Sequence, residues 1–263
     1  EQKVIETKLC EHGIETLELR ETTVIKSDGT KTVHRRWTEC LCDELKEVVQ
    51  QKKLFKIKKF DEYTTHSPDL EDATIDNFEV DEDESQLFAL EKAIEYIENF
   101  HPDNGRKLLF YGDVGTGKSH LAMAIHKEIQ KKGYTSIFLE MDKVVRAIRE
   151  TWDKDNDYKE SELLNVLAEV DLLILDDLGA EYANEWFQEK LFSILNSRVG
   201  KATIITTNLD ILQINQKYSK RISDRILDRL QLDDCINIQV KTSYRQKKLL
   251  QDYMKHKEKQ NFK

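Results

Sequence analysis

The stretch Tyr111-Gly-Asp-Val-Gly-Thr-Gly-Lys-Ser-His120 contains the pattern G-x-x-x-x-G-K-[ST] across Gly112–Ser119. Its glycines let the backbone fold tightly enough for successive N–H groups to point at phosphate oxygens. A helix starting behind the loop adds the positive end of its dipole. In such a cradle Lys118 neutralises the outer phosphates and Ser119 ligates Mg²⁺. Gly112, Asp113, Val114, Gly115, Thr116, Gly117 and His120 complete the expected ATP-binding loop. The flanks make the match credible. Strand-like sequence at 107–111 precedes it, and an amphipathic helix pattern follows to about residue 132, ended by Gly133.

Further strands are expected at 135–139, 171–175, 202–206 and 236–240, with helices between them and one near 85–100. Runs such as LLIL and TII lack polar alternation, which suits strands covered on both faces. The fold class is therefore α/β with a parallel five-stranded sheet. Leu172-Leu-Ile-Leu-Asp-Asp-Leu178 ends an apolar strand in two carboxylates. Asp176 is placed to bind the metal and Asp177 to polarise the attacking water, unless Asp177 caps the next helix. Asn208, at the end of Thr206-Thr-Asn208, is placed to orient that water. Arg221, Arg225 and Arg229 recur at i, i+4 and i+8. They either pair with Asp224 and Asp228 along a helix, or one of them completes a neighbouring subunit's site.

The chain has 263 residues, a formal net charge of −9, and 35% charged against 39% hydrophobic residues. That balance allows a packed core but argues against coating nucleic acid over the whole surface. No apolar run approaches the roughly 18 residues that span a membrane, and a cytoplasmic location is expected. Residues 69–86 carry nine acidic and no basic side chains. The expected organisation is a small N-terminal domain over 1–60, an acidic linker over 61–85, and the nucleotide-binding domain over 86–263. Cys10-Glu-His12 and Cys40-Leu-Cys42 supply four zinc-type ligands around a 27-residue loop holding the hairpin signal Asp28-Gly29. His34 is an alternative fourth ligand. Lys143, Arg146 and Arg149 lie along one helical edge, which reads as a solvated face.

GDVGTGKSHLA, LLILDDLGAE, IITTNL, RISDRILDRL and Ser243-Tyr-Arg245, in that order, resemble the DnaC/DnaI-type helicase loaders. These are AAA+ ATPases related to DnaA and IstB. The resemblance covers about residues 70–250. It implies an AAA+ P-loop fold, self-association through the ATP site, and delivery of a DnaB-type hexameric helicase to single-stranded DNA. It also implies that Arg225 is the arginine finger, with Arg229 or Arg221 as alternatives. Arg245 corresponds to the sensor that meets nucleotide, and Asn77 and Phe78 to contacts near the adenine. The zinc-bearing N-terminal domain would dock on the helicase. For the edge of Lys143, Arg146 and Arg149 the resemblance implies a contact for single-stranded DNA instead of a solvated face. Asp177 stands where many AAA+ proteins have glutamate, which implies slow hydrolysis. An IstB-like transposition helper and a non-catalytic helicase-binding inhibitor are the alternatives.

Overall fold

The computed structural model describes residues 2–10, 16–25, 30–38, 40, 42–80, 84–143, 157–181 and 184–261. The chain divides into two compact units, Glu1–Phe55 and Lys56–Lys263.

The first unit holds an antiparallel sheet of β1 (Gln2–Leu9), β2 (Thr16–Ile25) and β3 (Lys31–Trp37), in that order. Ile25 pairs with Lys31, so β2 and β3 form a hairpin. Its Asp28-Gly29 turn lies outside the described residues. Helix α1 (Cys42–Asp61) follows and carries the lysine-rich segment.

In the second unit, β4 (Lys107–Tyr111), β5 (Ser136–Glu140), β6 (Leu172–Leu178), β7 (Thr203–Thr207) and β8 (Cys235–Asn237) form one sheet. Its order is β5-β6-β7-β4-β8 and all pairs are parallel. Helices α2 (Glu84–Glu98) and α3 (Lys118–Lys131) join α4 (Asp157–Glu169), α5 (Glu185–Ser197), α6 (Ile211–Lys217), α7 (Lys220–Leu227) and α8 (Tyr244–Asn261). The apolar runs lack alternation because helices cover both faces. Leu109, Leu173, Leu175 and Ile205 enter one core with α5 and α7 residues, while Leu108, Phe110, Ile174 and Ile204 enter the other with α2 and α3 residues. Strand β8 is shorter than the expected 236–240.

Two expectations are corrected. Residues 61–80, expected as linker, pack on the nucleotide-binding domain. Thr65 bridges Leu139, Ala73 is buried, and Lys127 of α3 donates to the carbonyls of Leu70, Glu71 and Ala73. The acidic side chains here face water while the backbone is held, so composition alone misreads the segment. Residues 81–83 lie outside the described ones. The three arginines also do not share one helix. Helix α7 ends at Leu227, Asp228 leaves at ψ 128°, and Arg229 adopts a left-handed φ of 61°.

Candidate nucleotide site

Strand β4 ends at Tyr111 and α3 begins at Lys118, so the six residues between them turn over the C-terminal edge of the sheet. The N-cap of α3 is Gly117, whose φ is 98° and which supplies no side-chain cap. Gly117 therefore leaves the first-turn N–H groups without a side-chain cap, as an anion site requires. A Cβ on Gly117 would meet the Phe78 ring at 2.5 Å, so only glycine fits here. Lys118 is 6% exposed, and its Nζ donates to the carbonyls of Gly112 (2.8 Å) and Asp113 and to Thr116 Oγ1 (3.4 Å). Burial pushes its ammonium down to about 8, opposed by the carboxylates of Asp177, Asp176 and Asp113.

Strand β7 lies between β4 and β6, which brings the ends of all three together. Asp176 is 4% exposed and accepts from Thr206 Oγ1 at 2.6 Å and from the Ser119 hydroxyl. Burial pushes its carboxyl up to about 6 despite those two bonds. A buried carboxylate touching a loop hydroxyl beside a buried ammonium is a donor set that suits Mg²⁺ and phosphate. The register of β6 with β7 slips between Leu175 and Leu178, and within that slip Asp177 takes a left-handed φ of 56°. The slip turns its carboxylate toward β7, where Asn208 Nδ2 donates to Asp177 Oδ1 at 3.0 Å. Thr206 also accepts from Asp177 N at 2.9 Å through Oγ1. Asp177 does not cap α5, since Asn184 does so by accepting from Phe187 N. Burial raises the Asp177 carboxyl and Lys118 lowers it.

Phe78 packs over the loop with its ring centroid 5.4 Å from that of His120. His120 Nε2 lies 2.9 Å from the Thr74 carbonyl. The Asn77 amide is committed to its own turn, accepting from Thr74 N and donating to the Asp72 carbonyl. Asn77 thus shapes the turn that presents Phe78. Arg245 is exposed in the first turn of α8, which the loop anchors through Tyr244 N donating to Gly115 O at 3.0 Å.

Arg225 is not at this site. Its carbonyl accepts from Lys107 Nζ at 2.8 Å, and its Nε donates to Asn196 Oδ1 near the end of α5. Lys107 opens β4 and the loop follows its other end, about 13 Å away along the strand. Arg225 therefore sits at the opposite edge of the sheet from its own loop. Arg221 stacks on the Phe192 ring at 4.0 Å, and Arg229 lies against Gly200. Lys143 donates to the His66 carbonyl and pairs with Glu140, so its ammonium is held internally. Arg146 and Arg149 lie outside the described residues.

In the first unit, Cys10 follows Leu9, which pairs with Thr16, and Cys40 lies two residues after Thr38, which donates to Glu18 O. Both cysteines thus sit at one end of the sheet. His34 pairs with Thr22, three residues short of the Trp37 end of β3, about 10 Å from it. His12 and the Cys42 side chain lie outside the described residues. Among the described residues, no three metal-ligating side chains gather in one group.

A parallel sheet with a phosphate loop, a buried strand-end aspartate and an asparagine just after the intervening strand defines a P-loop nucleotide-binding protein. The model of the IstB-like ATP binding protein family matches residues 13–252, and the chain belongs to that family. It is 29% identical over 168 residues to "Replicative helicase loader DnaC" of Escherichia coli (strain K12), spanning 63% of this chain and 66% of that protein. The "Crystal structure of the DnaC helicase loader" superposes with a TM-score of 0.59 at 26% identity, covering 66% of this chain and all of that one. "Replication initiator DnaA bound to AMPPCP and single-stranded DNA" gives 0.55 at 28% identity, covering 66% of this chain and 51% of that one. Among the described residues, no helix is long and apolar enough to cross a membrane.

Proposed function

We propose that this chain is an ATP-hydrolysing loader that holds a replicative hexameric helicase and delivers it to single-stranded DNA. The observation that carries the reading is the convergence of Lys118, Ser119, Asp176, Asp177 and Asn208 at one sheet edge while Arg225 faces away at the other. That placement suits an assembly in which each subunit's Arg225 completes the next subunit's site. Lys118 binds the outer phosphates of ATP, Asp177 and Asn208 orient the attacking water, and Phe78 and Arg245 flank the nucleotide. Mg²⁺, held by Ser119 and Asp176, would neutralise phosphate charge. The short Asp177 side chain suits slow turnover and a switch. The likeness to the helicase loader DnaC supports the choice of partner, and the likeness to DnaA bound to single-stranded DNA supports the choice of nucleic acid.

The N-terminal unit is assigned to helicase docking, with zinc held by Cys10, His12, Cys40 and Cys42. Metal analysis of the purified chain should return one zinc per chain, lost in Cys40→Ser. The family's name favours a second reading, a transposition helper acting on duplex DNA with a transposase. Capture of a DnaB-type helicase by the full chain separates the two. The loader reading expects a complex that ATP modulates, and failure to bind any hexameric helicase would sink it.

A further inference from the structure

The Asp177 backbone is held in a left-handed conformation, at φ 56°, by a turn whose own fastening comes from far along the chain. Ala180 N donates to Asp177 O at 3.2 Å, closing the turn. Gly179, at φ 106°, lies against the Leu209 side chain, and its N–H donates to Glu181 Oε2 at 2.8 Å. The other Glu181 oxygen accepts from the Tyr218 hydroxyl, and Lys217 Nζ donates to the Gly179 carbonyl. Glu181 and Tyr218 are 6% and 4% exposed. Burial and the Glu181 carboxylate both raise the Tyr218 phenol, so it remains a hydroxyl donor. Each Glu181 oxygen thus takes a donor from the protein, Gly179 N–H on one and the Tyr218 hydroxyl on the other.

We propose that Glu181 is a positioning residue for Asp177, clamping the Leu178–Ala180 turn to Tyr218 so that the Asp177 carboxylate stays beside Asn208. The inference rests on the reading of Asp177 as the water-orienting carboxylate. Lys217 and Tyr218 also lead directly into α7, whose last turn carries Arg225. The clamp thereby ties a chain's own water-orienting group to the helix it offers a neighbour. Without it, the left-handed residue at 177 keeps its bonds to Thr206, Ala180 and Asn208 but loses the anchor of the turn that follows, and the carboxylate is held less closely beside Asn208.

The test compares wild type, Glu181→Ala, Glu181→Gln and Tyr218→Phe for steady-state ATP hydrolysis and for binding of a fluorescent ATP analogue. A misplaced reacting group costs about tenfold to a hundredfold in kcat. Glu181→Ala should show that loss, and Tyr218→Phe, which removes one hydroxyl and no packing, a smaller one. In both variants KM and analogue affinity should stay within about twofold. Glu181→Gln, which still accepts from Gly179 N–H, should recover most of the rate. Wild-type kcat in Glu181→Ala or Tyr218→Phe overturns the proposal, as does a Gln variant as slow as the Ala one. Wild type without hydrolysis would instead fail the ATPase reading itself.

Discussion

Lys118 lies folded into its own loop, bonded to two loop carbonyls and flanked by Asp176 and Asp177. Its replacement leaves those buried carboxylates without their cation, as well as removing the proposed partner of the phosphates. Lys118→Ala is expected to abolish ATP turnover, read by phosphate release, while circular dichroism stays that of the folded chain. Turnover at the wild-type rate would show that the site is misassigned. Lys118 was legible in the sequence through the G-x-x-x-x-G-K-[ST] pattern, and Asp176, Asp177 and Asn208 because each is a polar residue at the end of an apolar strand. Thr206 was not, although its hydroxyl binds both aspartates, because a threonine within a strand reads as ordinary β sequence. Glu181 and Tyr218 meet across 37 residues of chain, a pairing that no local spacing reveals.

The elements are fastened at the other sheet edge by two buried cations. Arg198 is 1% exposed and donates to the carbonyls of Leu167, Val170 and Ala202, joining the end of α4 and the residue after it to the residue that leads into β7. Arg198→Met strands those carbonyls, at an expected cost of about 3 kcal/mol in urea unfolding. A loss below about 1 kcal/mol would contradict that role. Lys107 is held at about 8 by burial, against a usual 10.5. Between those values the unfolded chain binds more protons than the folded one, so this group makes stability rise with pH. Unfolding midpoints at pH 8 and pH 10 should show a gain in wild type that Lys107→Met lacks. An identical pH response in the variant would contradict the shift. Strand positions came through to within a residue or two, except at the ends of β6 and β8, because apolar runs are the strongest signal a doubly covered sheet gives. The end of α7 did not, since Asp228 and Arg229 continue a helical charge pattern while the backbone has already turned away. The packing of 61–80 was hidden too, because Lys127 and His120 hold its backbone carbonyls and leave the acidic side chains to water.

At the scale of the whole molecule, the proposed function reads one chain as presenting two halves of a catalytic site on opposite edges of a sheet. The phosphate loop and its carboxylates lie at one edge, and Arg225 is braced by Lys107 and Asn196 at the other. A chain built this way is expected to hydrolyse ATP only between subunits, so that nucleotide reports on assembly. The most direct measurement mixes two separately inactive variants. Lys118→Ala keeps its arginine but loses its own site, and Arg225→Ala keeps its site but loses the arginine. The account predicts that each alone is inactive and that the mixture regains ATP hydrolysis. Full activity in Arg225→Ala alone, or no recovery in the mixture, would contradict a site shared between subunits.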